Sequence, residues 1–423
     1  MKTLNVRADR RYIRATYRSN RFVLAEIQAP EARTDRRRPP VNLSFIIDRS
    51  GSMGGSKIDL AKQAVREAIG RLHDDDRFSA VVYDDAIDVV VPSTPASAHA
   101  RREAIDRIAM IDARGSTNLG EGWLRGCQQV AEYQLAEGVN RSLLLTDGLA
   151  NVGITDADQL RQHAAELRAR GVSTSTFGVG EDFSEGLLQA MADAGGGHFY
   201  YIATPAAIRD TITSEVGETL EVVARDVALE ITAPEGVRVE SLSGFATSER
   251  GARTSIGLGD LVSNQVLQVV LRINFPFGEI GRETGALFTL SDRDGTLGVP
   301  GGALQRLSWE YADHATNDRQ SRDVEVDRAV AAVFAARARQ EAVALNRLGD
   351  YEAARHVVEA TTRRIHKYAG RDGVLRATLA TLEEEVPQYG ALMREADRKE
   401  IHFASHNMAR MRQTDGTATR RDS

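Results

Sequence analysis

The chain has 423 residues, of which 42% are hydrophobic and 27% are charged, a composition typical of a globular protein with two or three domains. Its formal net charge of -6 gives no reason to expect a nucleic acid or an anionic membrane as a partner. No run of about 18 apolar residues predicts a membrane-spanning helix, and the single cysteine, Cys127, favours a reducing, cytoplasmic location.

Residues 1–40 predict a β-hairpin followed by a linker. Apolar and polar residues alternate between 11 and 27, with Ser19 and Asn20 as the turn. Residues 31–40 are charged and end in proline, which is typical of a linker. Because an isolated hairpin is only marginally stable in water, we expect this one to join a β-sandwich formed later in the chain.

Residues 41–221 alternate strand-like and helix-like segments, which predicts an α/β fold with a doubly wound, mostly parallel sheet. The first strand is an apolar run, and Asp48, Ser50 and Ser52 follow it directly. Oxygen donors grouped at the end of a strand suit Mg²⁺, which prefers near-octahedral oxygen coordination.

Two later segments carry further oxygen donors. Thr117 lies in a loop that leads into a predicted helix, and Asp147 follows a second apolar run, Arg141–Thr146. In an open parallel sheet, ligands bind outside the carboxyl ends of the strands. The three segments are therefore expected to converge on one crevice, although Ser, Thr and Asp at such positions could equally act only as helix or turn caps.

In order and context, these residues resemble the complete metal-ion-dependent adhesion site of von Willebrand factor type A (vWA) domains of bacterial type. The resemblance extends from about residue 41 to residue 218 and includes the apolar strands before Asp48 and Asp147. It implies metal ligation by Asp48, Ser50, Ser52, Thr117 and Asp147. The implied ion is Mg²⁺, with Mn²⁺ or Ca²⁺ as alternatives, and a partner's Asp or Glu would complete its coordination.

The chemistry of the donors agrees with that expectation. If the hydroxyls of Ser50, Ser52 and Thr117 contact the ion, its direct protein ligands are neutral and it keeps most of its positive charge. Glycine and serine stand where related sites carry an extra acidic pair, at Gly54, Gly55 and Ser56. An adjacent second metal site is therefore not expected.

The rest of the chain predicts two further regions and a tail. Residues 222–312 have strand-like runs separated by turns and predict a β-sandwich into which the α/β domain is inserted. Residues 323–411 predict helices, and residues 412–423 predict a disordered tail. Everything after Asp226 resembles, at the level of fold, bacterial vWA proteins related to inter-alpha-trypsin inhibitor heavy chains.

The function expected from these features is a non-enzymatic, Mg²⁺-dependent protein-binding module that captures an acidic residue of a partner protein. One alternative is an adaptor or scaffold of an AAA+ ATPase system. Another is a metal-dependent phosphohydrolase, although Ser50 occupies the position where phosphatases of the haloacid-dehalogenase type carry an Asp. Asp84 and Asp85 either line the rim of the metal cleft or form a simple hairpin turn, and isolated His198 does not predict a zinc site.

Overall fold

The computed structural model describes residues 3–32, 38–297 and 304–421. The chain forms two compact units, one made of Met1–Glu31 with Ala224–Ser423 and the other of Ala32–Val223. We call them the two-segment unit and the α/β unit. Half of the predicted linker, residues 33–37, lies outside the described residues.

Strands and helices are numbered along the chain. The strands are β1 (Leu4–Ala8), β2 (Tyr12–Arg14), β3 (Ser19–Gln28), β4 (Val41–Asp48), β5 (Arg77–Tyr83), β6 (Ile87–Pro95), β7 (Val139–Thr146), β8 (Ser173–Val179), β9 (Gly196–Ile202), β10 (Val222–Thr232), β11 (Arg238–Ser241), β12 (Ala246–Arg250), β13 (Arg253–Val262), β14 (Val266–Phe275), β15 (Glu283–Ser291) and β16 (Leu304–Ala312). The helices are α1 (Ser56–Gly70), α2 (Ala98–Ala109), α3 (Leu119–Ala131), α4 (Ala157–Ala169), α5 (Glu185–Gly195), α6 (Ile208–Leu220), α7 (His314–Arg319), α8 (Val324–Arg347), α9 (Tyr351–Ala369), α10 (Gly373–Tyr389) and α11 (Glu395–Ala409).

The α/β unit contains a six-stranded sheet in the order β6-β5-β4-β7-β8-β9. All neighbouring strands are parallel except β5 and β6. Every residue of β4 and β7 is buried, because helices cover both faces of a parallel sheet. The strand order extends in opposite directions from the centre, so β4 and β7 flank the point where ligands bind in doubly wound sheets.

Helix α3 packs unusually close to the central strands. A Cβ atom at Gly126 would lie 2.3 Å from side-chain carbons of Ile46, so a larger residue here would force Ile46 to move. The close contact holds α3, whose N-cap residue Asn118 follows Thr117, against β4.

The two-segment unit contains a β-sandwich. One sheet has the order β1-β3-β14-β11, and the other has the order β12-β13-β10-β15-β16-β2. Phe275 of β14 and Trp309 of β16 bring the two sheets together, with ring centroids 5.0 Å apart. The predicted fold class, a mostly parallel α/β sheet with a helical C-terminal region, is confirmed.

The predicted N-terminal hairpin is wrong in its pairing. β2 pairs in parallel with β16, whereas β3 pairs with β1 on one side and with β14 on the other. Ser19 and Asn20 begin β3 instead of forming a turn. The alternation between 11 and 27 predicted strands correctly, but alternation alone does not determine which strand is the partner.

Helices α8 to α11 pack around a core that includes Val343, Val358, Ile365 and Leu382. Helix α8 also packs on the sandwich, where Val326, Val330 and Val333 meet Leu24 of β3 and Val270 of β14. In the described part of the chain, no helix is both long enough and apolar enough to cross a membrane.

The prediction of a disordered tail is contradicted for residues 412–421. Arg412 forms a β-bridge with Ala418, and Gln265 forms one with Arg420. The amide of Val266 donates to the carbonyl of Thr419 at 2.8 Å, and Ala418 is buried. The segment is polar, but pairing of its backbone with the start of β14 needs no apolar side chains.

Candidate metal site

The two carboxylates predicted as metal ligands lie at the ends of adjacent parallel strands. Asp48 is the last residue of β4, and Asp147 follows the last residue of β7. The register pairs Ile47 with Leu145, so both strands end at the same edge of the sheet. Both aspartates are 0% exposed.

Asp48 is held by two hydrogen bonds. Its Oδ1 accepts from the amide of Ser50 at 2.8 Å, and its Oδ2 accepts from the hydroxyl of Thr146 at 2.7 Å. Burial raises the pKa of Asp48 to about 6, an effect that these hydrogen bonds oppose and the nearby charge of Asp147 increases. Asp48 therefore fixes the backbone of the loop that carries Ser50.

The serine hydroxyls converge on Asp147. The Oγ atoms of Ser50 and Ser52 are 3.1 Å apart, and Ser52 Oγ donates to Asp147 Oδ1 at 2.7 Å. Ser50 precedes a short 3-10 turn, but its side chain makes no capping hydrogen bond there. A purely capping role is therefore contradicted for Ser50.

Thr117 reaches the same place from the loop before α3. A Cβ atom at Gly148 would lie 3.5 Å from Thr117 Oγ1 and 3.9 Å from Ser52 Oγ, so the bare glycine leaves a small space beside both hydroxyls. The carbonyl of Thr117 accepts hydrogen bonds from the amides of Asn151 and Val152. Asn118, not Thr117, is the N-cap residue of α3.

Lys57 adds a positive charge to the site, and the sequence analysis did not predict it. Its ammonium group lies 2.5 Å from Asp147 Oδ2, and its side chain is 25% exposed. Lys57 is the second residue of α1, immediately after the serine loop. The only available sequence signal was a lysine at the start of the helix that follows the motif.

An ion-pair cluster joins the serine loop to the Thr117 loop. Asp84 Oδ2 accepts from Nε of Arg49 at 2.9 Å and from Nε of Arg114 at 2.8 Å. Burial raises the pKa of Asp84, but hydrogen bonds from Arg114, Ala86 and Arg49 outweigh it and hold the pKa below its usual value. Asp84 is therefore both a turn residue and the group that binds the two loops to each other.

Backbone contacts reinforce this connection. The amide of Gly51 donates to the carbonyl of Gly115 at 3.1 Å, and the amide of Arg114 donates to the carbonyl of Arg49 at 2.7 Å. Gly115 has φ +69°, and a Cβ atom there would lie 2.0 Å from Asp85 Oδ1. The loops that carry the serines and the threonine are thus one bonded assembly.

A second group of metal-ligating side chains lies away from this site. Ligand atoms of His198, Glu215 and Glu218 lie within 4.8 Å of one another. Both oxygens of Glu215 are already engaged, Oε1 by Arg141 and Ser175 and Oε2 by His198 and Tyr200. Since a carboxylate offers about four acceptor positions, we interpret this group as a structural ion-pair network.

The five predicted residues fit a hard cation. Two carboxylates and three hydroxyls supply the oxygen donors that Mg²⁺ prefers. The structure places Ser50 Oγ against Ser52 Oγ and Ser52 Oγ against Asp147, and it turns Thr117 Oγ1 toward the space beside Gly148. The carboxylates bond mainly to the groups that position the hydroxyls.

Comparison with known proteins supports the vWA resemblance of the α/β unit. Residues 42–214 match the von Willebrand factor type A domain family. The chain is 35% identical over 195 residues to the uncharacterized protein YfbK of Escherichia coli K12, covering 46% of this chain and 34% of YfbK. It is 28% identical over 256 residues to the uncharacterized protein sll0103 of Synechocystis, covering 58% of this chain and 60% of that protein.

The chain therefore spans less than two thirds of the length of these curated relatives. A solved vWA protein from Catenulispora acidiphila aligns with a TM-score of 0.74 at 19% identity, covering 96% of both chains. This agreement in fold extends beyond the matched 42–214 segment to nearly the whole chain. The α/β unit thus has the vWA fold, with the five candidate residues at the carboxyl edge of its sheet.

Proposed function

We propose that this protein binds a partner protein through a Mg²⁺ ion held by Asp48, Ser50, Ser52, Thr117 and Asp147. When bound, the ion supplies an open coordination position for an anion, and a partner's Asp or Glu fills it. Protein-protein interaction is the role implied by the vWA fold, and the acidic residue and Mg²⁺ are our additions.

The observation that carries the proposal is how the two carboxylates are used. The oxygens of Asp48 accept from Ser50 and Thr146, and those of Asp147 accept from Ser52 and Lys57. Each carboxylate is therefore engaged in holding neighbouring donors, and the hydroxyls remain to contact the ion. A cation held by neutral ligands keeps its attraction for an incoming carboxylate, since the bond is charge-assisted.

The residues at the site favour binding over hydrolysis. Phosphatases of the haloacid-dehalogenase type need an Asp two residues after the first Asp, as nucleophile or acid, and Ser50 occupies that position here. An adaptor role in an AAA+ ATPase system would use the same acid-binding position. Identifying the captured partner therefore distinguishes the two roles: an ATPase subunit would indicate an adaptor, and any other protein would not.

Calorimetric titration with MgCl₂ tests the metal ligands. Ser52→Ala and Asp48→Ala are expected to weaken Mg²⁺ binding at least about tenfold, because each removes a ligand or the group that positions one. Ser56→Ala is the matched control, since this exposed serine lies only four residues beyond Ser52. Equal affinity in Ser52→Ala and Ser56→Ala would contradict the assignment.

Selection from a displayed peptide library tests the ligand class. Peptides are bound to the full chain in Mg²⁺ and eluted with EDTA. Each eluted peptide is expected to contain one Asp or Glu whose replacement by Asn or Gln abolishes binding. If acid and amide forms bind equally well, or if EDTA releases nothing, the proposal is wrong.

A further inference from the structure

A strongly basic cavity lies in the two-segment unit, and none of its lining residues belongs to the candidate metal site. It has a volume of about 830 Å³. Five arginines line it, and no Asp or Glu is among the described residues of its wall. We call it the arginine pocket and define it by Arg10, Arg14, Arg18, Arg21 and Arg238.

Two of the five guanidinium groups are neutralised by neighbouring carboxylates. Arg10 Nε donates to Asp9 Oδ2 at 3.2 Å, and an Nη of Arg14 lies 2.5 Å from Asp318 Oδ1. Arg18 and Arg238 are exposed, and within the described ranges neither has a carboxylate within ion-pair distance. The pocket therefore has excess positive charge.

Arg21 is the decisive member because it is buried without an ion-pair partner among the described residues. The residue is only 3% exposed. Its guanidinium donates to the backbone carbonyls of Tyr12 and Asn20, at 2.8 Å and 2.5 Å, and not to a carboxylate. Burial and repulsion by Arg10 lower the pKa of Arg21 to about 10, because together they outweigh the attraction of Asp9.

Asp9 does not cancel this charge. Its carboxylate bonds to Arg10 and also lies 3.9 Å from Arg322, so the cations around it outnumber it. A buried charge is normally paired or hydrogen-bonded to an opposite charge. An anion in the pocket would provide the missing counter-charge for Arg21, Arg18 and Arg238.

We propose that the arginine pocket is a second ligand site that binds a small organic phosphate. Three guanidinium groups without carboxylate partners match a phosphate group better than a carboxylate, because phosphate offers three oxygens and close to two negative charges. Planar guanidinium groups bind phosphate through pairs of parallel N–H bonds.

The other residues of the pocket suit the organic part of such a ligand. Tyr17 is 60% exposed and lines the cavity, so its ring offers an apolar face for stacking. Pro276 lines the same wall. A volume of about 830 Å³ lies in the range of small-molecule sites, about 300 to 1,000 Å³.

Calorimetry of the full chain with pyrophosphate and with ADP tests this assignment. EDTA is present throughout, so no divalent ion can hold the anion at the candidate metal site and the result is independent of the proposed function. Both probes are expected to bind at about 0.15 M salt, ADP more tightly because its base contacts Tyr17. Arg238→Gln and Arg18→Gln are each expected to weaken both probes at least about tenfold.

Arg250→Gln is the matched control, because Arg250 is an exposed strand arginine outside the pocket. Tyr17→Ala is expected to remove the advantage of ADP over pyrophosphate. The proposal would be overturned if pyrophosphate or ADP did not bind. It would also be overturned if Arg250→Gln weakened binding of the probes as much as Arg238→Gln does. Succinate that binds as tightly as pyrophosphate would overturn the phosphate assignment.

Discussion

At the candidate metal site, single residues divide into those that could contact an ion and those that position them. Ser50, Ser52 and Thr117 present hydroxyls to one small space. Asp48 fixes the loop through the amide of Ser50, and Asp147 orients Ser52. This division explains how an ion at a site with two buried carboxylates could still attract a third carboxylate, that of a partner protein.

Lys57 is the residue for which we make the first prediction. Its ammonium group bonds to Asp147 Oδ2, so it competes with a cation for the charge of that carboxylate. Lys57→Met is expected to tighten Mg²⁺ binding by about tenfold, equivalent to about 1.4 kcal/mol. Calorimetric titration measures the change, with Lys62→Met on the same helix as the control. Unchanged or weaker Mg²⁺ binding would contradict it.

Gly115 carries the second prediction at this scale. Because φ is +69° and a Cβ would lie 2.0 Å from Asp85 Oδ1, Gly115→Ala must strain the backbone and displace Asp85. We expect a loss of about 1–3 kcal/mol in the free energy of unfolding and weaker Mg²⁺ binding. Urea denaturation and calorimetry measure the two effects.

Two companion variants separate the causes. Gly217→Ala lies in α6, where the nearest atom to the added Cβ is 3.9 Å away, and it should not lower stability. Asp85→Ala combined with Gly115→Ala removes the steric contact but not the backbone strain, so it should recover only part of the loss. Wild-type stability in Gly115→Ala alone would refute the argument.

At the scale of elements, α6 is joined to the sheet by a buried ionic network. Glu215 of α6 accepts from Arg141 of β7 at 2.9 Å, from Ser175 of β8 at 2.6 Å and from Tyr200 of β9 at 2.7 Å. Its Oε2 also lies 3.1 Å from His198 Nδ1. One side chain thus connects a helix to three neighbouring strands, and both Arg141 and Glu215 are almost fully buried.

Replacing Glu215 should therefore be costly. Glu215→Gln leaves the Arg141 guanidinium buried without its counter-charge, which costs about 3–5 kcal/mol. Burial raises the pKa of Glu215, but attraction by His198 and Arg141 outweighs it, so the pKa in the folded state lies well below the usual 4.5. The stabilisation from Glu215 is complete above about pH 4.5 and decreases as the pH falls toward the folded-state pKa.

Urea denaturation at about pH 5 and about pH 3 measures this dependence. The difference in unfolding free energy between wild type and Glu215→Gln should be larger at about pH 5. Glu221→Gln, on the residue after α6, is the control and should show little difference at either pH. A difference that does not decrease on acidification would contradict the pKa argument.

At the scale of the whole molecule, the sequence predicted what depends on local pattern. The apolar runs of β4 and β7 predicted buried parallel strands, and their carboxyl ends predicted where Asp48 and Asp147 would lie. Thr117 was added by its place in the loop before a helix and by the resemblance to vWA domains. The location of the crevice followed from the geometry of parallel sheets, and the set of ligands followed from the resemblance.

The sequence could not show which strands pair, or which charged side chains bond, when the two partners lie far apart in the chain. β1 and β3 pair with each other although β2 lies between them, and β2 joins the opposite sheet. Lys57 bonds to a carboxylate 90 residues away in the chain, Arg49 to one 35 residues away and Arg114 to one 30 residues away. No local spacing of residues indicates such pairs. The order of the tail likewise depends on a partner strand, β14.

The pairing of β3 with β14 gives the last prediction. The register runs without interruption from Val266 opposite Gln28 to Phe275 opposite Ser19, and both strands are largely buried. Residues 224–423 expressed alone would leave this edge of β14 unpaired and its core side chains exposed. We expect that fragment to be unfolded or aggregated, because unpaired buried strand edges associate with other chains.

Coexpression with residues 1–31 supplies β3 and should restore a folded fragment, measured by circular dichroism and a cooperative thermal transition. Residues 32–223 form a compact unit with a complete sheet, so this fragment expressed alone should fold and bind Mg²⁺ with the affinity of the full chain. A soluble, cooperatively folding 224–423 fragment without residues 1–31 would show that β14 does not need β3. In that case the long pairing would be a consequence of folding in this unit and not a requirement for it.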